Sequence, residues 1–152
     1  RRKSNEGSYE MIARAVEIFA GDDSVVQLKK LFERVVFSCW MRDGDAHLKN
    51  FGMLYEHPSA ARRLAPIYDV VCTDVYPELD GKLALKFNKS KVFPAKEDIV
   101  GYGNRLGLDD GEVAEVLGRI EDACDTVMSR FKKDHRYQSD SLLADLQKAI
   151  ER

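Results

Sequence analysis

Four side chains able to do acid–base or metal-binding chemistry lie within six residues near the middle of this 152-residue sequence. They are the carboxylate of Asp45, the imidazole of His47, the ammonium of Lys49 and the carboxamide of Asn50. Strongly apolar segments flank them on both sides, and polar groups in an apolar setting cost free energy unless they are paired. This density of reactive groups indicates a functional loop.

The spacing within the loop indicates one kind of chemistry. Asp45 and Asn50 stand five residues apart, as do the aspartate that accepts the substrate hydroxyl proton and the asparagine that binds Mg²⁺ in protein-kinase catalytic loops. Mg²⁺ is usually held by one or two protein oxygen ligands together with substrate phosphates. Asp69, after a second apolar run, is the candidate second ligand. The spacing therefore predicts phosphoryl transfer.

Calcium and zinc fit the same loop less well. An EF-hand loop beginning at Asp43 needs glycine at its sixth position and glutamate at its twelfth, where this chain has Leu48 and Leu54. His47 lacks the His-Glu-x-x-His spacing of a zinc site, and the sequence contains no Cys-x-x-Cys pair.

A purely structural turn is the remaining alternative for this loop. In that interpretation Asp43 or Asp45 accepts hydrogen bonds from local backbone amides, and Gly44 supplies a positive φ. Spacing alone leaves this alternative open.

Two helices are predicted before the loop. Residues 8 to 20 have helical apolar spacing behind a serine cap and end before Gly21. A second helix begins at the capping residues 22 to 24, and we expect it to be the buried spine that carries the loop. The apolar residues expected on their inner faces are Met11, Ile12, Ala15, Val16 and Phe19 in the first helix, and Val25, Leu28, Leu31, Phe32, Val35, Val36, Cys39 and Trp40 in the second.

A β-hairpin is predicted after the loop, with strands at residues 51–55 and near 63–65 around a turn at 57–59. Such a hairpin would bring Asn50 and Asp69 together. Residues 81–94 alternate lysine with apolar residues, which is typical of an edge strand with its charges outward. Three further helices are expected over 95–106, 109–133 and 139–152, and His135 is expected to be a solvated side chain between the last two.

The sequence therefore predicts one globular unit over residues 1–152, mainly α-helical with a small β-hairpin region. The net charge of −2 provides no field that favours nucleic acid or membrane. Three widely spaced cysteines suggest reduced thiols. No secretory signal or membrane span is recognisable. We expect a cytoplasmic protein without a membrane partner.

Longer motifs carry a family resemblance. Residues 44–55 (GDAHLKNFGMLY), residues 63–71 (RLAPIYDVV) and residues 82–86 (KLALK) resemble the C-terminal domain of the HipA-type toxin kinases. Aminoglycoside and choline kinases have a similar first motif, and the second motif favours the HipA type. Two departures are an aspartate at position 43, where asparagine is expected in many relatives, and Val-Val after Asp69 where ordinary protein kinases have Phe-Gly.

The resemblance implies the fold and the roles of individual residues. It implies a protein-kinase-like C-lobe built as a helical bundle, with Asp45 as the catalytic base and Asn50 and Asp69 as Mg²⁺ ligands. His47 and Lys49 are assigned with the catalytic group. Tyr68, together with His47, is assigned to the binding of the nucleotide.

The resemblance also implies cofactors and partners: ATP and Mg²⁺, a bacterial HipB-like DNA-binding antitoxin, and a protein substrate, with aminoacyl-tRNA synthetases as the class known for family members. A Gly-rich phosphate-covering loop and its strand lysine are not recognisable, so we expect an N-terminal kinase lobe to complete the enzyme and this chain to be inactive in isolation. Two alternatives stay open, a small-molecule phosphotransferase lobe and a non-catalytic partner-binding module.

Overall fold

The computed structural model describes residues 6–136 and 141–150. Five α-helices lie within these residues, joined by loops, short 3₁₀ helices and one small hairpin. The predicted mainly α-helical fold with a small β-hairpin is confirmed. The helices are α1 (Tyr9–Ala20), α2 (Ser24–Trp40), α3 (Lys96–Arg105), α4 (Asp110–Lys133) and α5 (Ser141–Ile150).

Local capping explains where these helices begin and end. The Ser8 hydroxyl accepts a hydrogen bond from the Met11 amide at 3.2 Å at the start of α1. Asp109 and Glu112 form a reciprocal capping box at the start of α4, with hydrogen bonds of 2.8 and 3.2 Å. Gly107 follows α3 with a φ of 89°, a conformation that favours glycine. The bounds predicted for these elements therefore agree with the structure to within one or two residues.

The hydrophobic core lies between α1, α2, α3 and α4, with α2 in the centre as the predicted spine. Aromatic rings from distant parts of the chain meet there. The rings of Phe87 and Tyr102 are 5.1 Å apart, and those of Tyr9 and Phe87 are 5.9 Å apart. The most completely buried members are Tyr9, Val16, Leu31, Phe32, Val35, Val36, Leu85, Tyr102, Val113 and Val116.

Three residues predicted to face the core are exposed instead. Met11 and Phe19 lie on the outer side of α1, because its buried side is formed by Tyr9, Ile12, Ala13, Val16 and Ala20. Val25, in the first turn of α2, is 74% exposed. Helical periodicity identifies an apolar stripe but does not say which edge of the stripe a neighbouring helix covers.

The hairpin is shorter than predicted. Its strands are β1 (Met53–Leu54) and β2 (Arg63–Leu64), paired antiparallel with Met53 opposite Leu64. The edge strand predicted over 81–94 is not formed. That segment makes only isolated bridges, from Lys86 to Ser8 and from Phe87 to Ser90. Its alternation is nevertheless retained, because Leu83, Leu85 and Phe87 are buried and Lys82, Lys86 and Lys89 are exposed.

Helix α5 packs against the 3₁₀ helix Thr73–Val75, close to the loop described below. The ends of its predicted range, residues 139–140 and 151–152, lie outside the described residues. All three cysteines are free and buried, and His135 is exposed as expected. No helix in the described part of the chain is both long and apolar enough to cross a bilayer.

Candidate functional site

Asn50 and Asp69 are in direct contact. Asn50 ends the 3₁₀ helix Leu48–Asn50 and is buried, and its Nδ2 donates a hydrogen bond to Oδ2 of Asp69 at 3.0 Å. Its Oδ1 accepts a hydrogen bond from the His47 amide at 2.9 Å, which fixes the plane of the carboxamide. The β1–β2 hairpin spans the intervening residues, and so the expected proximity of the two predicted metal ligands is observed.

This pair offers oxygen atoms suited to a small, hard cation. Asp69 has a φ of 56°, in the left-handed region that few residues other than glycine, asparagine and aspartate adopt. Within residues 6–136 and 141–150, no group of three or more His, Cys, Asp or Glu residues could hold a metal by itself. The donor set therefore fits Mg²⁺ when substrate phosphates and water complete the coordination, and it does not fit a site made by protein ligands alone.

Asp45 lies at the surface of the same loop, beside an open cavity of about 370 Å³. Its backbone amide donates to Oδ1 of Asp43 at 3.1 Å. Among the described residues, no hydrogen bond or ion pair engages its carboxylate. The hydrogen bond thus fixes the backbone of Asp45, while its carboxylate oxygens remain available to a substrate, as a general base requires.

Asp43 is the buried counterpart of Asp45, only 1% exposed. The pKa of its carboxyl group is raised from 3.8 to about 6, and burial is the main cause; backbone hydrogen bonds from Asp45 and Val71 lower this pKa, and the nearby charges of Asp45 and Asp69 raise it. The Asp43 carboxylate thus joins the amide of Asp45 to the segment that follows Asp69. Asp43 therefore has the role considered in the structural-turn interpretation, because its carboxylate accepts backbone hydrogen bonds. The carboxylate of Asp45 does not have this role.

Gly44 does not adopt the positive φ considered for it, and Arg42 does, with a φ of 53°. The reason for glycine here is close packing. A Cβ atom at Gly44 would lie 2.6 Å from the Lys82 carbonyl oxygen and 2.6 Å from Oγ1 of Thr73, closer than any real contact. Spacing within the loop could not reveal this requirement, since both neighbours are distant in sequence.

Four residues, Arg42, Gly44, Thr73 and Asp74, form a polar clasp between the loop and the segment after Asp69. Thr73 donates to the Arg42 carbonyl from its amide at 3.0 Å and from its hydroxyl at 2.9 Å. The Gly44 amide donates to Oγ1 of Thr73 at 2.9 Å. The Arg42 guanidinium forms a 2.8 Å ion pair with Asp74. The clasp fixes Asp45 relative to the chain beyond Asp69, and no local sequence pattern predicts it.

Arg34 anchors both halves of the site to the helical core. It projects from α2, is buried, and donates to the carbonyl of Asn50 at 3.3 Å and to the carbonyl of Ala65. Burial lowers its pKa, but guanidinium groups remain charged. The sequence feature that could have identified this anchor is the single arginine within the apolar stripe of α2.

The other assigned residues have less direct positions. Nδ1 of His47 is buried and has no hydrogen-bond partner in the described part of the chain. Lys49 is exposed, and it is its backbone carbonyl that accepts a hydrogen bond from the Tyr68 hydroxyl. The Tyr68 ring is exposed beside Asp69. In each of these contacts one partner uses only a backbone atom. Lys49 contributes its carbonyl to the Tyr68 hydroxyl, and His47 contributes its amide to the Asn50 side chain.

Comparison with known proteins identifies a family and several named relatives. Residues 1–130 match the family described as the HipA-like C-terminal domain. A Sinorhizobium fredii protein named "Putative kinase Y4dM" is 33% identical, with 87% of this chain and 32% of the relative aligned. A Haemophilus influenzae protein named "Putative kinase" is 28% identical, with 72% of this chain and 36% of the relative aligned.

A solved structure has the same fold. It is the complex of HipA, HipB and operator DNA from the toxin–antitoxin system of Shewanella oneidensis MR-1, matched with a TM-score of 0.70 and 20% identity over 95% of this chain and 35% of that one. The predicted kinase-like C-lobe is confirmed by this likeness. The chain spans about a third of the length of the relatives it matches.

Proposed function

Because the chain belongs to the HipA-like C-terminal domain family, we propose that it is the catalytic lobe of a serine/threonine protein kinase of a bacterial toxin–antitoxin module. The observation that carries this proposal is the 3.0 Å hydrogen bond between Asn50 and Asp69, together with the unengaged carboxylate of Asp45 on the same loop as Asn50. A candidate metal-ligand pair and an unengaged base are the parts that phosphoryl transfer needs from a C-lobe.

In the proposed reaction, a serine or threonine hydroxyl of the substrate lies against Asp45. Its oxygen attacks the γ-phosphorus of ATP while the Asp45 carboxylate accepts the hydroxyl proton. The new O–P bond forms as the bond from the γ-phosphorus to the β–γ bridging oxygen breaks, and ADP leaves with the electron pair. A positioned base of this kind contributes about 10²–10⁴-fold to the rate.

Asn50, through Oδ1, and Asp69, through its carboxylate, are the residues that would hold Mg²⁺. When bound, the ion neutralises charge on the phosphate oxygens. The protein's part is positioning: the His47 amide orients Asn50, and the clasp and Asp43 hold the loop against the chain beyond Asp69. Errors of about 1 Å in such positions cost about 10²-fold in rate.

His47 and Lys49 are proposed to act with the catalytic group, and Tyr68, together with His47, is proposed to bind the nucleotide. The exposed Tyr68 ring, held by its hydroxyl bond to the Lys49 carbonyl, offers a flat apolar surface next to the metal ligands. The Lys49 side chain is exposed, and its ammonium would contact the phosphates of the nucleotide.

The remaining parts of the enzyme are proposed by analogy with the longer relatives. An N-terminal lobe would supply the Gly-rich loop and the phosphate-binding lysine, which are not recognisable in this sequence. The neighbour of known structure is a complex of HipA with HipB and DNA, so a HipB-like DNA-binding antitoxin is the proposed regulatory partner. The proposed substrate is a cytoplasmic protein, with aminoacyl-tRNA synthetases as the first class to examine.

Titration calorimetry of ATP binding to the full-length protein, at several Mg²⁺ concentrations, tests this assignment. We expect Asp69→Asn to weaken ATP binding, and the defect to shrink as Mg²⁺ is raised, because the variant loses the anionic metal ligand. Asp122→Asn, at an exposed position on α4, is the matched control and should bind as the wild type does. Unchanged affinity of Asp69→Asn at every Mg²⁺ concentration would contradict the proposed site.

A further inference from the structure

The open cavity beside Asp45 is a surface groove with several apolar side chains in its lining. It measures about 370 Å³, and three large apolar side chains line it. These are Val71, Tyr76 and Leu79, which are 37, 44 and 51% exposed. Clustered exposed apolar side chains commonly mark a binding surface, whereas scattered ones do not. Here the cluster surrounds the proposed catalytic base.

The charges of this groove restrict what it could bind. Asp80 and Lys82 form a 3.2 Å ion pair at its edge and largely cancel each other. Asp45 is then the uncompensated charge, and it is negative. A triphosphate would be repelled, so the groove does not suit the nucleotide. A polyhydroxylated small molecule would leave its polar groups unpaired against the apolar walls.

The walls of the groove are held in place by backbone contacts. The Tyr76 amide donates to the Thr73 carbonyl at 3.1 Å, and the Leu79 amide donates to the Tyr76 carbonyl at 3.0 Å. Thr73 itself belongs to the clasp, and α5 packs against the 3₁₀ helix that contains it. The groove is thus already formed before a substrate arrives, which lowers the entropy cost of binding.

We propose that this groove is the acceptor subsite of the kinase, and that it binds a polypeptide with an apolar side chain within two residues of the phosphorylated hydroxyl. The proposal rests on the proposed kinase function. An extended peptide advances about 3.3 Å per residue. With the hydroxyl at Asp45, the neighbouring side chains therefore reach Tyr76 and Leu79 and bury their exposed apolar surface.

A peptide panel with the full-length protein tests the proposal. Each peptide contains one serine, and the flanking positions carry leucine, aspartate or lysine. One methylene group in an apolar pocket is worth about 10–200-fold in specificity. We therefore expect kcat/KM to be at least about tenfold higher for peptides with flanking leucine than for peptides with flanking aspartate. Leu79→Asp should abolish this preference and raise kcat/KM for the lysine peptides above the wild-type value.

Ile18→Asp is the matched control, because Ile18 is exposed on α1 and does not line the groove. It should keep the wild-type preference. The gain towards lysine peptides separates a specificity change in Leu79→Asp from a folding defect. A panel phosphorylated without any apolar preference, or identical preferences in the two variants, would overturn the acceptor subsite and leave the kinase function standing. Absence of phosphorylation of every peptide and protein offered would overturn both.

Discussion

The helical core and the loops that carry the site are stabilised by different forces. In the core, Leu31, Phe32 and Val116 are completely buried among other apolar side chains, and burial of this kind is non-directional. In the loops, hydrogen bonds join Asn50 to Asp69 and Thr73 to Arg42 at 2.9–3.0 Å, and hydrogen bonds weaken steeply with misalignment. The core supplies stability, and the loops supply the positions of individual atoms.

This difference means that stability and activity should respond to different substitutions. A truncation in the core removes apolar area and leaves a cavity, so its cost falls on the free energy of unfolding. A substitution in the loops changes little apolar burial, and its cost falls on the geometry of the site. Arg34, which connects the two regions, should affect both.

The largest effect on stability is expected for Phe32→Ala. Phe32 is completely buried and contacts Tyr102, with ring centroids 6.4 Å apart. We expect a loss of about 3–5 kcal/mol in the free energy of unfolding, measured by urea titration. ATP affinity per folded molecule should be unchanged. A loss below about 1 kcal/mol is the size expected at an exposed position, and it would contradict the burial of Phe32 in the core.

Arg34→Met should reduce both stability and nucleotide binding. Methionine keeps much of the side-chain volume but leaves the carbonyls of Asn50 and Ala65 without their buried donor, which should cost about 2–3 kcal/mol. Mg²⁺-dependent ATP affinity should fall as Asn50 loses its support. The exposed substitution Arg14→Met, on α1, is the control for removing a charge. Equal results for the two variants would mean that the two regions are not coupled through Arg34.

Asp43 provides a smaller, pH-dependent effect. Because its pKa is about 6 in the folded protein and 3.8 without the environment of the fold, the folded state binds more protons than the unfolded state between these values. The stability contributed by Asp43 is therefore fully present below about pH 4 and is lost as pH rises through about 6. The difference corresponds to about 2–3 kcal/mol at most.

Asp43→Asn removes this titration. We expect the melting temperature of the variant, relative to the wild type, to increase as pH rises from about 4 to 7, because only the wild type acquires a buried charge. Thermal melts at pH steps of half a unit measure this difference. The variant Asp22→Asn, at an exposed position, should show no such trend. A constant offset between wild type and Asp43→Asn across the range would show that Asp43 does not titrate there.

The sequence predicted the helical region better than the site, for a physical reason. Capping at Ser8 and Asp109 and the turn at Gly107 are local, so the helix bounds could be inferred from neighbouring residues. The outward positions of Met11, Phe19 and Val25 depend on which face another helix covers, and no local pattern contains that information.

Within the site, motif spacing and the hairpin were sufficient to bring Asn50 and Asp69 together. The supports were not predictable, because they connect residues far apart in the chain. Arg34 and Asn50 are 16 positions apart, and Arg42 and Thr73 are 31 positions apart. The buried state of Asp43 and the packing reason for Gly44 depend on the same long-range contacts.

The most direct test of the proposed function is single-turnover transfer of the ATP γ-phosphate by the full-length protein with Asp45→Asn. The carboxamide keeps the size of the side chain and leaves the backbone bond to Asp43 in place, but it cannot accept the hydroxyl proton. We expect the transfer rate to fall by about 10²–10⁴-fold, while the thermal melt and the affinity for ATP stay at wild-type values. Transfer at the wild-type rate by a folded Asp45→Asn protein would contradict the assignment of this loop as a kinase active site.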